Sequence, residues 1–136
     1  MNIKICIIAS NFYPNITKNL VKGAKLELKK NRIDNFDTFF VDGSFEIPVV
    51  VSKLIGKYDG FILLGTIIKG QTPHFDYLCS SIFRSVIDLS TKNKIPIGNG
   101  ILTCNNKNQA IKRSDYRKID KGGKAASAVI SVLKIK

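Results

Sequence analysis

The chain holds one histidine, His74, in the segment Gly65-Thr66-Ile67-Ile68-Lys69-Gly70-Gln71-Thr72-Pro73-His74-Phe75-Asp76-Tyr77. The most apolar run of the sequence, Phe61 to Leu64, comes immediately before it. An imidazole gives and takes protons near neutral pH, its unperturbed pKa being roughly 6.5. A buried strand opening into a Gly- and Thr-containing loop, then a helix, is where open parallel α/β sheets hold their ligands. The segment therefore predicts a proton-transferring residue at the mouth of a ligand site. The alternative is a histidine that only caps the next helix or packs in a turn.

Other loops carry groups that suit the same site. Asn11-Phe12-Tyr13-Pro14 offers exposed aromatics, and Gly43-Ser44-Phe45-Glu46 and Thr103-Cys104-Asn105-Asn106 follow later strands. An aromatic or planar ligand with hydroxyls fits Phe12, Phe45, Glu46 and Thr66 together. Gly70-Gln71-Thr72 before a helix presents backbone N–H groups to a phosphate. Each has an ordinary alternative: Phe12 as cover for the core edge, Glu46 as complement to a positive helix end, Gln71-Thr72 as a plain turn, Arg113 and Lys121 as a solvated basic face. Convergence on one end of one sheet favours the functional reading.

The elements that must position these groups are legible as periodicity. Ile3 to Ala9 is apolar at nearly every position, as in a parallel strand covered on both faces. Asn15 to Lys30 repeats Ile16, Leu20, Ala24 and Leu28 every four residues, with Lys18, Lys22, Lys25 and Lys29 on a neighbouring face. Phe36 to Val41 is a second strand. Asp42-Gly43-Ser44 breaks the pattern, Glu46-Ile47-Pro48 starts a helix with proline in its first turn, and Gly56 ends it. Phe61 to Leu64 is the third strand, and a helix from about Asp76 to Thr91 turns Leu78, Ile82, Val86 and Leu89 inward. Ile95 to Leu102 is the fourth strand. Lys107 to Arg113 and a stretch from about Gly123, with Ala125, Ala128, Val129 and Val132, close the chain as helices. Strictly alternating strands and helices predict a three-layer α/β/α fold. Its four-stranded parallel sheet is flavodoxin-like, in order 2-1-3-4, and residues 1–136 form one domain.

Composition excludes several classes. No apolar stretch approaches the roughly 20 residues that span a bilayer. Met1-Asn2-Ile3-Lys4 runs into a strand without a signal-peptide pattern. Cys6, Cys79 and Cys104 are odd in number and widely spaced, neither a disulfide framework nor a zinc site. A cytoplasmic protein is expected. The charge of +12 raises nucleic acid as a partner, but the lysines are scattered and lack interleaved aromatics. Only Arg32, Arg84, Arg113 and Arg117 of the 22 basic residues are arginine. Ile, Lys and Asn are abundant together and share A/T-rich codons, so genome bias explains the basicity at least as well. Neither nucleic acid nor membrane is expected as a partner.

Gly43-Ser44-Phe45-Glu46-Ile47-Pro48, Gly65-Thr66-Ile67-Ile68-Lys69-Gly70 and Thr72-Pro73-His74-Phe75-Asp76-Tyr77 resemble segments of the lumazine synthase family. The likeness extends over nearly the whole chain, including Phe12 with Ile16-Thr17, Gln109-Ala110-Ile111 before Arg113, and Lys121-Gly122. It implies condensation of 5-amino-6-ribitylaminouracil with 3,4-dihydroxy-2-butanone 4-phosphate, the penultimate step of riboflavin biosynthesis, with no metal or organic cofactor. It also implies site residues. Phe12 lies on the pyrimidine ring, and Ser44, Phe45 and Glu46 hold ring and ribityl chain, as do Thr66, Ile67 and Ile68 through their backbone. Gln71, Thr72 and Arg113 bind phosphate, supported by Lys121, and His74 donates the proton.

Two positions depart from the family. Asn99 stands where a Phe usually stacks on a neighbouring subunit's substrate, and that aromatic contact is worth on the order of 1 kcal/mol. Asp42 replaces a frequent Pro and loosens the loop before Glu46. The alternatives are an archaeal-type riboflavin synthase, or a non-catalytic flavin- or pyrimidine-binding protein, which Asn99 permits. The resemblance further implies a pentameric homo-oligomer with sites between subunits. Because the chain begins directly at its first strand, isolated pentamers or a decamer are expected rather than a sixty-subunit shell.

Overall fold

The computed structural model describes residues 2–136; Met1, part of the signal-peptide reading, lies outside them. The chain alternates β1 (Ile5–Ser10), α1 (Pro14–Lys30), β2 (Phe36–Val41), α2 (Ile47–Leu54), β3 (Gly60–Ile68), α3 (His74–Asn93) and β4 (Ile97–Cys104). It ends in α4 (Lys107–Ser114) and α5 (Lys121–Leu133), and a 3-10 turn, Ser44–Glu46, leads into α2. All strand pairs are parallel, in the order β2-β1-β3-β4. The expected three-layer, flavodoxin-like arrangement is the observed one.

Side-chain alternation divides the core between the two faces. Ile5, Ile7, Ile62, Leu64 and Leu102 pack with α1, α4 and α5, whereas Cys6, Ile8, Phe61, Leu63 and Ile101 pack with α2 and α3. β1 and β3 are covered on both sides, which is why their sequences are continuously apolar. All three cysteines are free and buried, as expected.

Several boundaries differ from the sequence expectation. β3 continues past Leu64 through Gly65 to Ile68, so Thr66, Ile67 and Ile68 lie on a strand end and not in a loop. β4 ends at Cys104, so Thr103 and Cys104 also belong to the sheet. α3 begins at His74, not at Asp76, leaving residues 69–73 as the connection. α5 begins at Lys121 because the Asp120 carboxylate accepts a hydrogen bond from the Gly123 N–H at 3.0 Å and caps it.

Asp120 sits in the left-handed region at φ 55°. Burial raises its carboxyl pKa above the ordinary value; the Gly123 hydrogen bond opposes the rise and Glu27 adds to it. A folded-state pKa above the unfolded one makes the group's contribution largest in acid, and it is lost as pH rises through the folded pKa. Asp120→Asn keeps the cap and tolerates the backbone while removing the charge. It is expected to raise Tm at neutral pH, with the advantage shrinking in mild acid. Asp120→Ala should instead lose about 1 kcal/mol with the cap. Melting curves at the two pH values check both; an Asn variant less stable at neutral pH would refute the assignment.

Candidate active site

In a 2-1-3-4 sheet the strand order reverses between β1 and β3, and the crevice outside their carboxyl ends is the expected ligand position. A cavity of about 370 Å³ lies there, within the usual range for small-molecule sites of roughly 300–1,000 Å³. Phe12 and Tyr13 reach it from the end of β1, and Gly43, Ser44 and Phe45 from the turn after β2. Thr66, Ile67 and Ile68 come from the end of β3, and Gly70, Thr72 and His74 from the connection into α3. Phe12 and Phe45 are 67% and 68% exposed, aromatic faces left open to a ligand.

Among the lining residues Ser44 and Thr66 have buried hydroxyls without a hydrogen-bond partner, as has nearby Ser10. Unmatched buried hydroxyls are costly unless something pairs with them, so a hydroxyl-bearing ligand would complement them. Gly65 makes the close approach possible: a Cβ there would stand 2.8 Å from Ser44 Oγ and 3.0 Å from Ser10 Cβ. His74 is the first residue of α3, exposed at the cavity wall, with Pro73 in the capping position before it.

Thiol chemistry finds little support here. Burial pushes Cys6 up to about 12, assisted by Asp37, and burial with Asp76 raises Cys79. Neither provides a thiolate near neutral pH. Among the described residues no cluster of His, Cys, Asp or Glu has the arrangement of a metal site.

The remaining expected site residues lie elsewhere. Glu46 does not line this cavity; its carboxylate accepts the Gly43 N–H at 2.9 Å, and the residue borders a groove between α2 and α3. Gln71 is exposed on the connection, outside the cavity wall. Asn99, Arg113 and Lys121 gather at a second cavity of about 390 Å³ on the β4 edge. Arg113 donates to Thr103 O at 3.3 Å and to Cys104 Sγ at 3.6 Å. Among the described residues, Lys4–Asp37 and Arg117–Asp115 are the ion pairs, so Arg113 and Lys121 carry no paired carboxylate. Two uncompensated cations beside one cavity make a field suited to an anion. Within one chain, then, aromatics and histidine stand at one site and the cations at another.

Tyr13, from the loop expected to offer aromatics, lines the first cavity, as do Phe75 and Leu78, which were not expected there. The signal for the latter two is adjacency: Phe75 follows His74, and Leu78 lies one helical turn further on.

An open parallel sheet with an aromatic-rimmed cavity at its switch point defines an α/β protein of the small-molecule-binding kind. Sequence comparison narrows the class. The family profile of 6,7-dimethyl-8-ribityllumazine synthase matches residues 2–136. A protein of that name from Ruthia magnifica is 41% identical over 139 residues, covering 96% of this chain and 83% of the relative. One from Limosilactobacillus reuteri is 37% identical over 134 residues, covering 97% and 88%, and one from Desulfovibrio desulfuricans 36% over 137, covering 98% and 88%. The chain belongs to the 6,7-dimethyl-8-ribityllumazine synthase family.

Proposed function

We propose that the chain condenses 5-amino-6-(D-ribitylamino)uracil with 3,4-dihydroxy-2-butanone 4-phosphate to 6,7-dimethyl-8-ribityllumazine, releasing phosphate and water. The observation that carries this reading is the β1/β3 cavity, which in a member of this family joins aromatics, buried hydroxyls and the only histidine. Phe12 takes the face of the pyrimidine, and Ser44, Phe45 and the backbone of Thr66, Ile67 and Ile68 hold ring and ribityl chain. Glu46 supports the turn that carries Ser44 and Phe45, and reaches the ribityl chain if its bond to Gly43 opens. Gln71, Thr72 and Arg113 take the phosphate, with Lys121 beside them.

The primary amine adds to the ketone and water leaves to give an imine, then phosphate is eliminated and the resulting enol becomes a ketone. The second amine adds to that carbonyl and expels a second water to close the ring. Each step moves a proton, and His74 is the acid–base group positioned for it. Holding both reactants together supplies much of the acceleration, since effective molarity is worth roughly 7–11 kcal/mol. His74→Ala is therefore expected to lower kcat roughly ten-fold, less than the 10²–10⁴ usual for a positioned acid or base, while binding of the uracil stays intact. Steady-state and binding measurements check this; unchanged turnover through neutral pH would remove His74 from the chemistry.

The separation of the cations from the first cavity is met by a second copy of the chain. Set with its β4 edge against the first copy's cavity, it brings Asn99, Arg113 and Lys121 to Phe12 and His74. Such a heterologous contact closes by rotation into a ring, and we take a pentamer as the minimal active unit. Val49, Tyr77 and Ile87, which are 59%, 71% and 59% exposed, supply apolar surface for the contact. The three free thiols fit a reducing compartment such as the cytoplasm. Incubation with both substrates and detection of the fluorescent lumazine tests the reaction, and light scattering tests the ring. Absence of product overturns the first; a fully active monomer overturns the second.

A further inference from the structure

Phe12 needs something to hold it. Two-thirds of its surface is exposed, so packing fixes its ring only weakly. The backbone around it is anchored, because Asn11 N–H donates to Val41 O at 2.8 Å and Thr17 N–H to Tyr13 O at 3.0 Å. The ring itself has one aromatic contact. The rings of Tyr13 and Phe12 form a T-shaped pair, with centroids 5.1 Å apart and planes at 70°, a geometry that aromatic pairs prefer.

Tyr13 is placed differently from its neighbour. It is half-buried and packs against the core beneath α1, while also forming part of the cavity wall. It therefore connects a fixed core to a solvent-exposed ring. Its position is also unusual for its residue type. Tyr13 is the N-cap of α1, and its side chain makes no capping hydrogen bond. Ser, Thr, Asp or Asn would stabilise the helix start there. A local rule broken at the wall of a binding site points to function.

We infer that Tyr13 is a positioning residue for the proposed reaction: its ring, paired with that of Phe12, sets the orientation of Phe12 at the cavity to receive the planar heterocycle. This rests on the proposed function, and Tyr13 acts through Phe12 rather than on the reacting atoms. Tyr13→Leu keeps apolar contact with the core and removes the aromatic ring. It should raise KM for the ribitylaminouracil about two- to ten-fold, with kcat and KM for the butanone phosphate within about two-fold of the parent on the same scale. Tyr13→Phe keeps the ring and should restore the parental KM.

A double-mutant cycle separates this from a merely structural role. In a Phe12→Leu background, Tyr13→Leu should add nothing, because residues acting as a unit are not additive. Additive effects, an equal rise in both KM values, or a parental KM in Tyr13→Leu would each overturn the inference. Tyr13→Met serves the same comparison if the Leu variant does not fold. Calorimetric binding of the ribitylaminouracil gives the comparison without turnover. An inactive parent thus overturns the reaction, while the inference stands or falls on Kd.

Discussion

Replacing Arg113 by alanine is expected to raise KM for the butanone phosphate about ten- to a hundred-fold, the loss of one charge-assisted contact to a dianion. KM for the ribitylaminouracil should move little. The reason is the placement of the guanidinium at a cavity with Lys121, neither being paired with a carboxylate among the described residues. Arg113→Lys should recover only part of the loss, because an ammonium lacks the planar fork. Equal movement of both KM values would remove Arg113 from the phosphate. Mixing makes the test sharper. If each site takes His74 from one chain and Arg113 from its neighbour, co-assembled His74→Ala and Arg113→Ala chains form some sites with both groups intact. Activity of the mixture above that of either variant is the expected result. No gain on co-assembly would argue for sites built within one chain.

Gly122→Ala should destabilise the fold more than any surface change. A Cβ at this position would run into the carbonyl of Leu20 on α1. The obstacle is backbone on both sides, so no side chain can rotate away. Relief requires α5 to part from α1, and both helices bury residues against the same side of the sheet. Overpacking typically costs about 1–3 kcal/mol and occasionally more; the upper end applies here, lowering Tm by about 10 °C for a domain of this size. Lys121 is adjacent, so phosphate affinity should fall with stability. A variant melting with the parent would show that the two helices are not locked at this point.

The layering and strand order follow from features the sequence displays locally. Ile5 to Ala9 and Phe61 to Leu64 are buried on both sides, and α1 shows its repeat at every turn. What escaped local reading depends on distant partners. Gly65 looks like a break, yet β3 continues because Gly65, Thr66, Ile67 and Ile68 pair with Ile101, Leu102, Thr103 and Cys104. β4 starts two residues later than its apolar run because Lys94 turns left-handed at φ 52° and Ile95 N–H closes α3 on Ser90 O.

The same distinction holds at the site. Loops following parallel strands share one rim, which was enough to group Phe12, Ser44, Phe45, Thr66, Thr72 and His74. Rim membership does not measure lateral distance. Asn99, Arg113 and Lys121 lie at the β4 edge, and that follows only from sheet order. Glu46 turns back to Gly43, a local hydrogen bond that residue type alone leaves undecided.

The side chain of Asn99 has a further consequence. Its Oδ1 accepts the N–H of Ile101 at 3.0 Å, on one of the two edge strands of the sheet. An outer strand with free amides is a template onto which another chain can add, the first step of fibrous aggregation. Here one such amide is already engaged by the strand's own carboxamide. A neighbouring chain arriving at this edge meets a satisfied backbone at that point and must associate through side chains. Copies of the chain are correspondingly less able to stick together through strand addition at this point of β4.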